Sequence, residues 1–576
     1  YVASYRLWRS DNRGDAWTAL SNDLTRNEER FDLPIMGRKQ SYDNAWDVYA
    51  MSTYNTITSI AESPINEKVL YVGTDDGFIQ STKDGGKTWI KINVSELDGV
   101  PERAYVNDIK ADLFDENTVY VALDAHKQGD YSPYLFVSKN GGKSWNKITK
   151  GITNKSYVWR IVQDHINPNL LFIGTEFGIY FTINGGDSWK QLKNGLPTIS
   201  FRDLVIQREH DDLVAASFGR SFYVLDNYAF LRELSNDLLQ EDAVLFKPRN
   251  TYLFRPRRDG RQKTGSLGGQ HFYGKNPEHG VLFDYYIKEK PKTNKEKRTK
   301  TEKELNNKNK DIDFPGWKVL AAERYENTPQ YWLEISNSQG NIIRKLKLKN
   351  SKGIHRTAWD MKGSSPWPVT KNTTDKNNQN RGWYVASGNY VAQLYRVEGQ
   401  NISSLGNKVE VNIKPLKKST LTPQSIVNQK VFANLYMDAQ VRRSILFKRY
   451  NEVQNKAKAL LVATKKGSSP LSTVITPLQI INDSIIELKT SLYGNEAKKA
   501  VGEKTYPTLN DRMNAAGASL WGSSYGPTQT SKNSLAIANE LMKIYEDKIA
   551  DLNTQLKKQY KELLDAGAPV ILEMVD

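Results

Sequence analysis

The feature that most constrains the fold of this chain is a short turn that recurs four times near its start. Each copy has the form Ser/Thr-x-Asp/Asn-x-Gly-x-x-Trp, and we call these copies the box turns: residues 10–17, 82–89, 138–145 and 182–189. Asp or Asn caps a tight turn, Gly accepts a positive φ, and the Trp returns to pack between sheets. We therefore expect a structural role for the following box-turn residues: Asp11, Trp17, Asp84, Trp89, Asn140, Trp145, Asn184 and Trp189.

An apolar strand ending on Gly-Thr, or a variant of it, precedes three of the box turns, at residues 70–74, 119–123 and 171–175. A second strand then leads into each turn. A further pair of strands, within 213–227, has no box turn. Four-stranded propeller blades span about 40–50 residues, so the repeat predicts a β-propeller with insertions between some of its blades.

The box turns and their preceding strands resemble the BNR (Asp-box) repeats shared by sialidases, xyloglucanase-type glycoside hydrolases and sortilin-type receptors. Residues 157–227 are similar to large bacterial proteins described as "glycosyl hydrolase" or "sortilin-like". This resemblance implies that the chain is the C-terminal portion of such a protein, with earlier blades missing. It also implies an extracytoplasmic location, whether periplasmic, outer-membrane-associated or secreted. The final copy in those proteins carries His-Gly-Arg, whereas this chain has Phe218-Gly219-Arg220, which weakens the transfer of any function that depends on the histidine.

The fold class predicted for the whole chain is multidomain and mainly β, with a helical C-terminal region. Its four predicted regions are propeller blades at 1–230, a crossover at 231–274, an immunoglobulin-like β-sandwich at 275–415 and helices at 416–576. The sandwich is expected from alternating apolar residues and from a resemblance to the domain that follows the propeller in the same bacterial proteins.

Apolar residues at helical spacing predict three helices in the C-terminal region, at 431–463, 477–493 and 531–564. Pro477 and Pro527 stand where we expect helices to begin, and Gly494 and Gly567 where we expect them to end.

Composition argues against several classes of function. The chain has no cysteine, and its six histidines are scattered, so we expect no metal site and no cofactor. The net charge of +16 is concentrated in a lysine-rich stretch at 288–310, which we interpret as a solvated loop, and no nucleic-acid-binding motif accompanies it. The apolar runs are shorter than the roughly 18–20 residues that a membrane span needs.

Candidate functional residues lie in the turns between the second and third strands of each blade, because those turns open on the same face as the starts of the first strands. The turns contribute Asp75, Asp76, Asp124, His126, Glu176 and Arg220, and the first-strand entrances contribute Trp159, Arg160 and Arg202. Mixtures of arginine, carboxylate and aromatic side chains bind sugars, peptide termini or charged groups. We expect these residues to surround the channel mouth.

Catalysis at the mouth would need a pair of carboxyl groups, one of them protonated at neutral pH, as in glycosidases. The candidates are Glu176, Asp75 and Asp76. A sialidase is disfavoured because its arginine trio and nucleophilic tyrosine cannot be assembled, and a serine hydrolase because no Gly-x-Ser-x-Gly turn is present.

Three functions remain open from the sequence. The first is a non-catalytic binding or scaffold protein of the bacterial cell envelope, which would use a sortilin-like propeller to hold a protein or glycan ligand at its channel mouth. The second is a glycoside hydrolase of the xyloglucanase type, acting on polysaccharide. The third is a structural subunit of a larger envelope complex.

Overall fold

The structure is a computed structural model that describes residues 1–34, 37–43, 54–254, 256, 274–365, 369, 382–417, 423–468, 471–522 and 526–574. It divides into two compact units. The first comprises Tyr1–Arg249 and Tyr286–Lys288, and the second comprises Asn250–Tyr285 and Glu289–Asp576. Part of the predicted crossover, residues 255 and 257–273, lies outside the described residues.

The first unit is built from short antiparallel strands. In chain order they are β1 (Val2–Ala3), β2 (Leu7–Arg9), β3 (Thr18–Ala19), β4 (Ile57–Glu62), β5 (Leu70–Thr74), β6 (Phe78–Thr82), β7 (Ile90–Asn93), β8 (Tyr105–Ala111), β9 (Val119–Ala125), β10 (Asp130–Ser138), β11 (Asn146–Lys147), β12 (Val158–Gln163), β13 (Leu171–Thr175), β14 (Gly178–Thr182), β15 (Lys190–Gln191), β16 (Phe201–Gln207), β17 (Asp212–Ser217), β18 (Phe222–Leu225) and β19 (Ala243–Leu245).

Consecutive strands of the first unit form a series of small antiparallel sheets. Three have four strands in simple up-and-down order, namely β4–β7, β8–β11 and β12–β15, while β1–β3 and β16–β18 have three. The first strands β4, β8, β12 and β16 are successive neighbours, so each sheet packs against the next. This arrangement of sheets is that of consecutive propeller blades, as the repeat predicts.

The box turns join the last two strands of their sheets through one repeated hydrogen-bond pattern. In the last copy the Thr182 hydroxyl bonds Asn184 (2.6 Å) and accepts the N–H of Gly186 (3.1 Å), while Asn184 accepts the N–H of Ser188 (3.1 Å). The side chains thus satisfy the polar backbone of a tight turn. The corresponding bonds recur in the other three copies.

The first box turn corrects one expectation. Its acceptor is Asn12, which receives the N–H of Ala16 at 2.9 Å. Asp11 instead points outward and pairs with Arg9 at 3.1 Å. The pattern places the acceptor two residues after the Ser or Thr. Asn12 occupies that position relative to Ser10, whereas Asp11 comes one residue after Ser10.

A β-bulge recurs in the first strand of four successive sheets and sets how closely the sheets approach. The extra residue is Thr58 in β4, Asn107 in β8, Trp159 in β12 and Arg202 in β16, as the register shifts show. Thr58 and Asn107 each donate a hydrogen bond to a carbonyl of the next first strand, at 2.7 and 2.8 Å. The bulges therefore link neighbouring sheets and turn side chains toward one end of the unit.

The Gly of the predicted Gly-Thr strands has a packing role at the same junctions. A Cβ on Gly73 would lie 2.2 Å from the Val106 side chain, and one on Gly174 would lie 2.5 Å from the Phe201 carbonyl oxygen. No side chain fits at these two positions because the next first strand approaches so closely.

The second unit contains further strands. They are β20 (Thr251–Leu253), β21 (Val281–Ile287), whose last residues belong to the first unit, β22 (Gln330–Asn337), β23 (Ile342–Lys347), β24 (Gly353–Trp359), β25 (Gly388–Glu398) and β26 (Asn401–Pro415). Five of them form one sheet in the order β20-β26-β25-β22-β23, and β20 runs parallel to β26. The predicted crossover therefore supplies a strand to this sheet. An immunoglobulin-like sandwich stays a prediction.

The lysine-rich stretch corrects a second expectation, because it contains the helix α1 (Asn294–Asn307). Thr293 and Glu296 form a capping box at its start. Arg298 pairs with Glu323 on the short helix α2 (Trp317–Tyr325) at 2.7 Å. Lysine and glutamate are good helix formers, so this solvated segment is helical without any buried residue.

The C-terminal helices are α3 (Pro423–Lys466), α4 (Leu471–Tyr493), α5 (Glu496–Ala500), α6 (Leu509–Gly522) and α7 (Gln529–Asp565). They share one apolar core, with residues such as Leu446, Leu492 and Leu556 fully buried. Gly494 and Gly567, just after α4 and α7, have positive φ as expected of helix ends.

Two details of the helical region differ from the prediction. Pro477 lies inside α4, which begins at Leu471, and neither α5 nor α6 was predicted. Pro477 is the seventh residue of α4, beyond the four N-terminal N–H groups that lack intrahelical partners, so it removes one backbone hydrogen bond of the helix. Among the described residues, no helix has the length and apolar character of a membrane span.

Candidate functional site

Four turns connect the second and third strands of successive sheets: residues 75–77, 126–129, 176–177 and 218–221. We call them the mouth turns. In an up-and-down sheet, these turns lie at the end where the first strand begins, and the box turns lie at the opposite end. The bulged residues Trp159 and Arg202 lie near the beginnings of β12 and β16, and so at the mouth end.

An aromatic cluster connects the sheets β8–β11 and β12–β15. The His126 ring stacks on the ring of Tyr157, with centroids 5.0 Å apart and planes 6° apart. Trp159 meets the edge of both rings, at 5.0 Å from Tyr157 and 5.9 Å from His126. The three rings form a continuous apolar floor at the mouth.

Arg202 extends this cluster to the last sheet of the series. Its guanidinium carbon lies 3.5 Å from the centroid of the Trp159 ring and 4.9 Å from that of Phe218. These are cation–π distances. The Arg202 Nε donates to Ser200 Oγ (2.9 Å), and its side chain remains 40 % exposed. Arg202 is thus a fixed cation with accessible donors between two aromatic rings, and we call the group of His126, Tyr157, Trp159, Arg202 and Phe218 the mouth cluster.

Glu176 lies beside the mouth cluster and is held by it. The Trp159 indole N–H donates to its Oε2 at 2.9 Å, and Arg202 approaches the same oxygen at 3.9 Å. Burial raises the pKa of the Tyr157 hydroxyl, and the neighbouring charge of Glu176 raises it further. Glu176 therefore serves as an acceptor that orients Trp159.

Arg160 belongs to the scaffold. It contacts Asp108 on the preceding first strand (3.0 Å) and Asp203 on the following one (2.9 Å). Burial alone would lower the pKa of Arg160, but attraction to the two carboxylates raises it. Asp108, 1 % exposed, also accepts the N–H of Ile161 at 2.9 Å. Arg160 thus joins three neighbouring sheets.

Asp75 and Asp76 are both buried in the first mouth turn. Asp76 accepts the backbone N–H of Arg26 at 2.7 Å and the Thr74 hydroxyl at 2.5 Å, and so anchors a segment from outside its sheet. Asp75 accepts the N–H of Thr56 at 2.7 Å, and burial raises the pKa of its carboxyl to about 6. The pKa of Asp75 is thus closer to neutrality than that of an ordinary aspartate, as a general acid requires, but its carboxyl has little access to solvent.

Asp124 lies behind His126, and its Oδ1 contacts the His126 Nδ1. The carboxylate is 2 % exposed, and its Oδ2 accepts no hydrogen bond from the residues that the structure describes. This contact orients the imidazole ring against Tyr157.

Arg220 stays apart from the mouth cluster, since it is exposed and no hydrogen bond, ion pair or ring contact joins it to another described residue. Sequence reasoning missed the contribution of Tyr157 and treated Phe218 only as a departure from a family pattern. Alternation offered a signal, because Tyr157 and Trp159 are two residues apart at the start of a strand and so face the same side. Within the described ranges, no group of three or more histidine or acidic side chains could hold a metal ion.

No family model matches the chain, and no curated protein matches it. Similar solved structures include a GH74 enzyme of Niastella koreensis, with 17 % identity, coverage of 31 % of this chain and 29 % of the other, and a TM-score of 0.26. A structure of YCF48 bound to D1 peptide has 18 % identity, coverage of 30 % and 51 %, and a TM-score of 0.24.

The β-propeller domain of Cps50 (Swd1) from Myceliophteria thermophila has 14 % identity, coverage of 42 % and 71 %, and a TM-score of 0.27. The chain spans less than two thirds of the length of the GH74 enzyme and of YCF48.

Proposed function

We propose that this chain is a non-catalytic binding protein of the bacterial cell envelope, with Asp-box blades of the sortilin-like kind, and that the mouth cluster holds its ligand. The observation that carries this proposal is the exposed Arg202 between Trp159 and Phe218. A guanidinium fixed on aromatic faces pairs with a carboxylate or another anionic group, while the rings cover an adjacent apolar or sugar face. The ligand is therefore a protein or glycan segment that places an anionic group beside an apolar face.

The other charged candidates support binding over catalysis. Arg160 and Asp108 hold sheets together, and Asp76 anchors a neighbouring segment. Glu176 accepts the Trp159 indole N–H, so it positions a ring of the binding surface. The two remaining carboxyls are buried as well: Asp75 accepts the Thr56 N–H, and Asp124 contacts the His126 ring.

A glycoside hydrolase is the second candidate, favoured by one observation. Burial raises the pKa of Asp75 to about 6, which is the range of a general acid at neutral pH. Glu176, in another mouth turn, is the candidate second carboxylate. Under this alternative, Asp75→Asn and Glu176→Gln each abolish cleavage and leave binding intact.

A binding screen with matched variants tests the proposal. The full chain would be applied to an array of acidic and neutral oligosaccharides and a library of acidic and neutral peptides. Ligands found there would be titrated by calorimetry against wild type, Arg202→Ala and Phe218→Ala. We expect Arg202→Ala to weaken binding of an anionic ligand by about tenfold to a hundredfold, the range for losing a charge-assisted contact.

Arg220→Ala is the matched control, because Arg220 is an exposed arginine of a mouth turn that is not part of the mouth cluster. Equal losses in Arg202→Ala and Arg220→Ala would indicate attraction by net charge alone and would contradict a built site. Binding that neither variant nor Phe218→Ala changes would place the ligand elsewhere on the protein.

A further inference from the structure

The helices α1 and α2 lie side by side and run in opposite directions. The backbone N–H of Asn294, at the start of α1, donates to the carboxylate of Glu326, just after α2, at 2.8 Å. Lys297 pairs with Glu398 of β25 at 3.3 Å, which fixes this end of the hairpin near the five-stranded sheet. Residues 308–316 join the two helices at the other end. One side of α2 is therefore covered by α1.

The charged residues of α2 differ in their surroundings. Glu323 faces α1, where Arg298 pairs with its carboxylate at 2.7 Å, and the Glu323 side chain is 5 % exposed. Lys318 and Arg324 are exposed, and no hydrogen bond or ion pair joins them to another residue in the part of the chain that the structure describes. The carboxylate of α2 is thus paired and covered, whereas its two cations are open to solvent.

Three large aromatic side chains lie on the same open side. Trp317 is 79 % and Tyr325 82 % exposed, and they share one side of α2 because they are eight positions apart. Phe314, which is 61 % exposed, packs edge-on against Trp317 with ring centroids 5.1 Å apart. A contiguous exposed apolar patch, unlike a single exposed side chain, marks a site of interaction.

This mixture of groups fits the surface of a lipid bilayer. Tryptophan and tyrosine rings are enriched where the headgroups meet the acyl chains, because each ring has an apolar body and a polar atom. Lysine and arginine place their stems along the apolar layer and their charges at the lipid phosphates. The hairpin 294–325 has nine basic and six acidic residues, and its net charge of +3 favours anionic lipids. The two aspartates of the connecting loop, Asp311 and Asp313, are offset by Lys308 and Lys310 of the same loop.

We propose that the aromatic face of this hairpin, formed by Phe314, Trp317, Lys318, Arg324 and Tyr325, binds the surface of an anionic phospholipid bilayer. The helix α2 lies in the plane of that surface, with its rings among the headgroups and upper acyl chains and its two cations at lipid phosphates. The hairpin thereby holds the chain on a membrane surface without a membrane-spanning segment. This contact is independent of the mouth cluster.

Binding to lipid vesicles tests the proposal. The full chain would be sedimented with vesicles made of equal parts of phosphatidylcholine and phosphatidylglycerol, and vesicles of phosphatidylcholine alone are the matched control. We expect the anionic vesicles to bind at least about tenfold more tightly, because two cations contact lipid phosphates. The difference should shrink as salt is added, since salt screens exposed charges.

Four exposed side chains test the same face from the protein. Trp317→Ala should weaken binding about tenfold, because it removes the largest ring from the interface. Tyr506→Ala removes an exposed ring elsewhere and should have little effect. Lys318→Gln should weaken binding about fivefold. Lys303→Gln, which removes the same charge from an exposed position of α1, should weaken it less.

Three results would overturn the proposal. The first is equal binding, or no binding, to the two kinds of vesicle. The second is a loss in Tyr506→Ala or Lys303→Gln as large as that in Trp317→Ala or Lys318→Gln, which would indicate attraction by overall composition instead of a defined face. The third is self-association without vesicles that Trp317→Ala abolishes, because a second copy of the chain would then cover the aromatic face.

Discussion

The two ends of the propeller sheets are made from the same strands and differ in how much they repeat. At one end, the four box turns share one set of hydrogen bonds, with Ser or Thr and Asp or Asn satisfying the turn backbone. At the other end, each mouth turn is different: buried carboxylates in the first, His126 in the second, Glu176 in the third and Phe218 in the fourth.

This difference separates scaffold from function. A turn that repeats in every sheet solves a problem that every sheet has, namely closing a hairpin and packing it on its neighbour. Turns that differ from sheet to sheet have no such common task, and they lie on a rigid support where ligand-binding residues are commonly found. The following predictions sharpen or break the distinction, beginning with the largest expected effect.

Trp189→Ala should cause the largest loss of stability. Trp189 is 3 % exposed and bridges two sheets through the Ile148 carbonyl. Removing a buried tryptophan costs about 3–5 kcal/mol in the free energy of unfolding. Urea unfolding followed by near-ultraviolet circular dichroism would measure it. Trp17→Ala, at a position 42 % exposed, is the matched control and should cost roughly 1 kcal/mol. Equal losses of unfolding free energy in the two variants would mean that packing of the box Trp between sheets contributes little to stability.

Asp108→Ala should be the most damaging change near the mouth end. It removes a buried carboxylate, so Arg160 loses one of its two partners and the Ile161 N–H loses its acceptor. We expect a cost of about 3 kcal/mol in the free energy of unfolding, measured by the same urea titration. Asp203→Ala tests the exposed partner of Arg160 and should cost about 1 kcal/mol or less. A larger loss in Asp203→Ala than in Asp108→Ala would contradict the assignment of Asp108 as the main partner of Arg160.

Asp75 should make stability depend on pH. Its pKa is about 6 in the folded protein against an ordinary value of 3.8, so the folded state binds the proton more tightly. Stability should therefore fall as pH rises from about 4 to about 6, by roughly 2 kcal/mol. Asp75→Asn keeps an acceptor for the Thr56 N–H and should remove this component. Unfolding free energies of both proteins at several pH values would measure the difference, and parallel pH profiles would contradict it.

Arg220→Ala should have the smallest effect of all. Its side chain is exposed, and no hydrogen bond, ion pair or ring contact joins it to another described residue, so the free energy of unfolding should change by less than about 0.5 kcal/mol. Thermal unfolding beside wild type would check this. A larger loss would mean that the last mouth turn is part of the scaffold after all.

The repeating part of the fold could be predicted from sequence because its signals are local. Gly, Asp or Asn and Trp at fixed spacing specify a box turn, and strands of apolar residues flank it. The bulges could not be predicted, because Thr58, Asn107, Trp159 and Arg202 share no residue type and are equivalent only by register. Pro477 misled because proline is common at the start of a helix, whereas here it lies at the seventh position of α4.

The sequence predicted which residues lie at the mouth end, but it did not predict the role of each of them. The order of strands places the mouth turns at one end, so the residue set followed from topology. Arg160 and Arg202 look alike in sequence and are similarly exposed, but Arg160 pairs with carboxylates of two neighbouring sheets, whereas Arg202 lies on aromatic rings. That distinction depends on contacts between sheets far apart in the chain, which residue spacing does not encode.

The central claim is that the mouth cluster binds without cleaving, and recovery of bound ligand tests it most directly. Each ligand retained by the wild-type chain would be incubated with it for a long period and then analysed by mass spectrometry and for released reducing ends. We predict that the ligand is recovered intact from wild type, Asp75→Asn and Glu176→Gln alike, and that Arg202→Ala weakens its binding. Product from the wild type that disappears in Asp75→Asn or Glu176→Gln would contradict the account and identify the mouth as an active site.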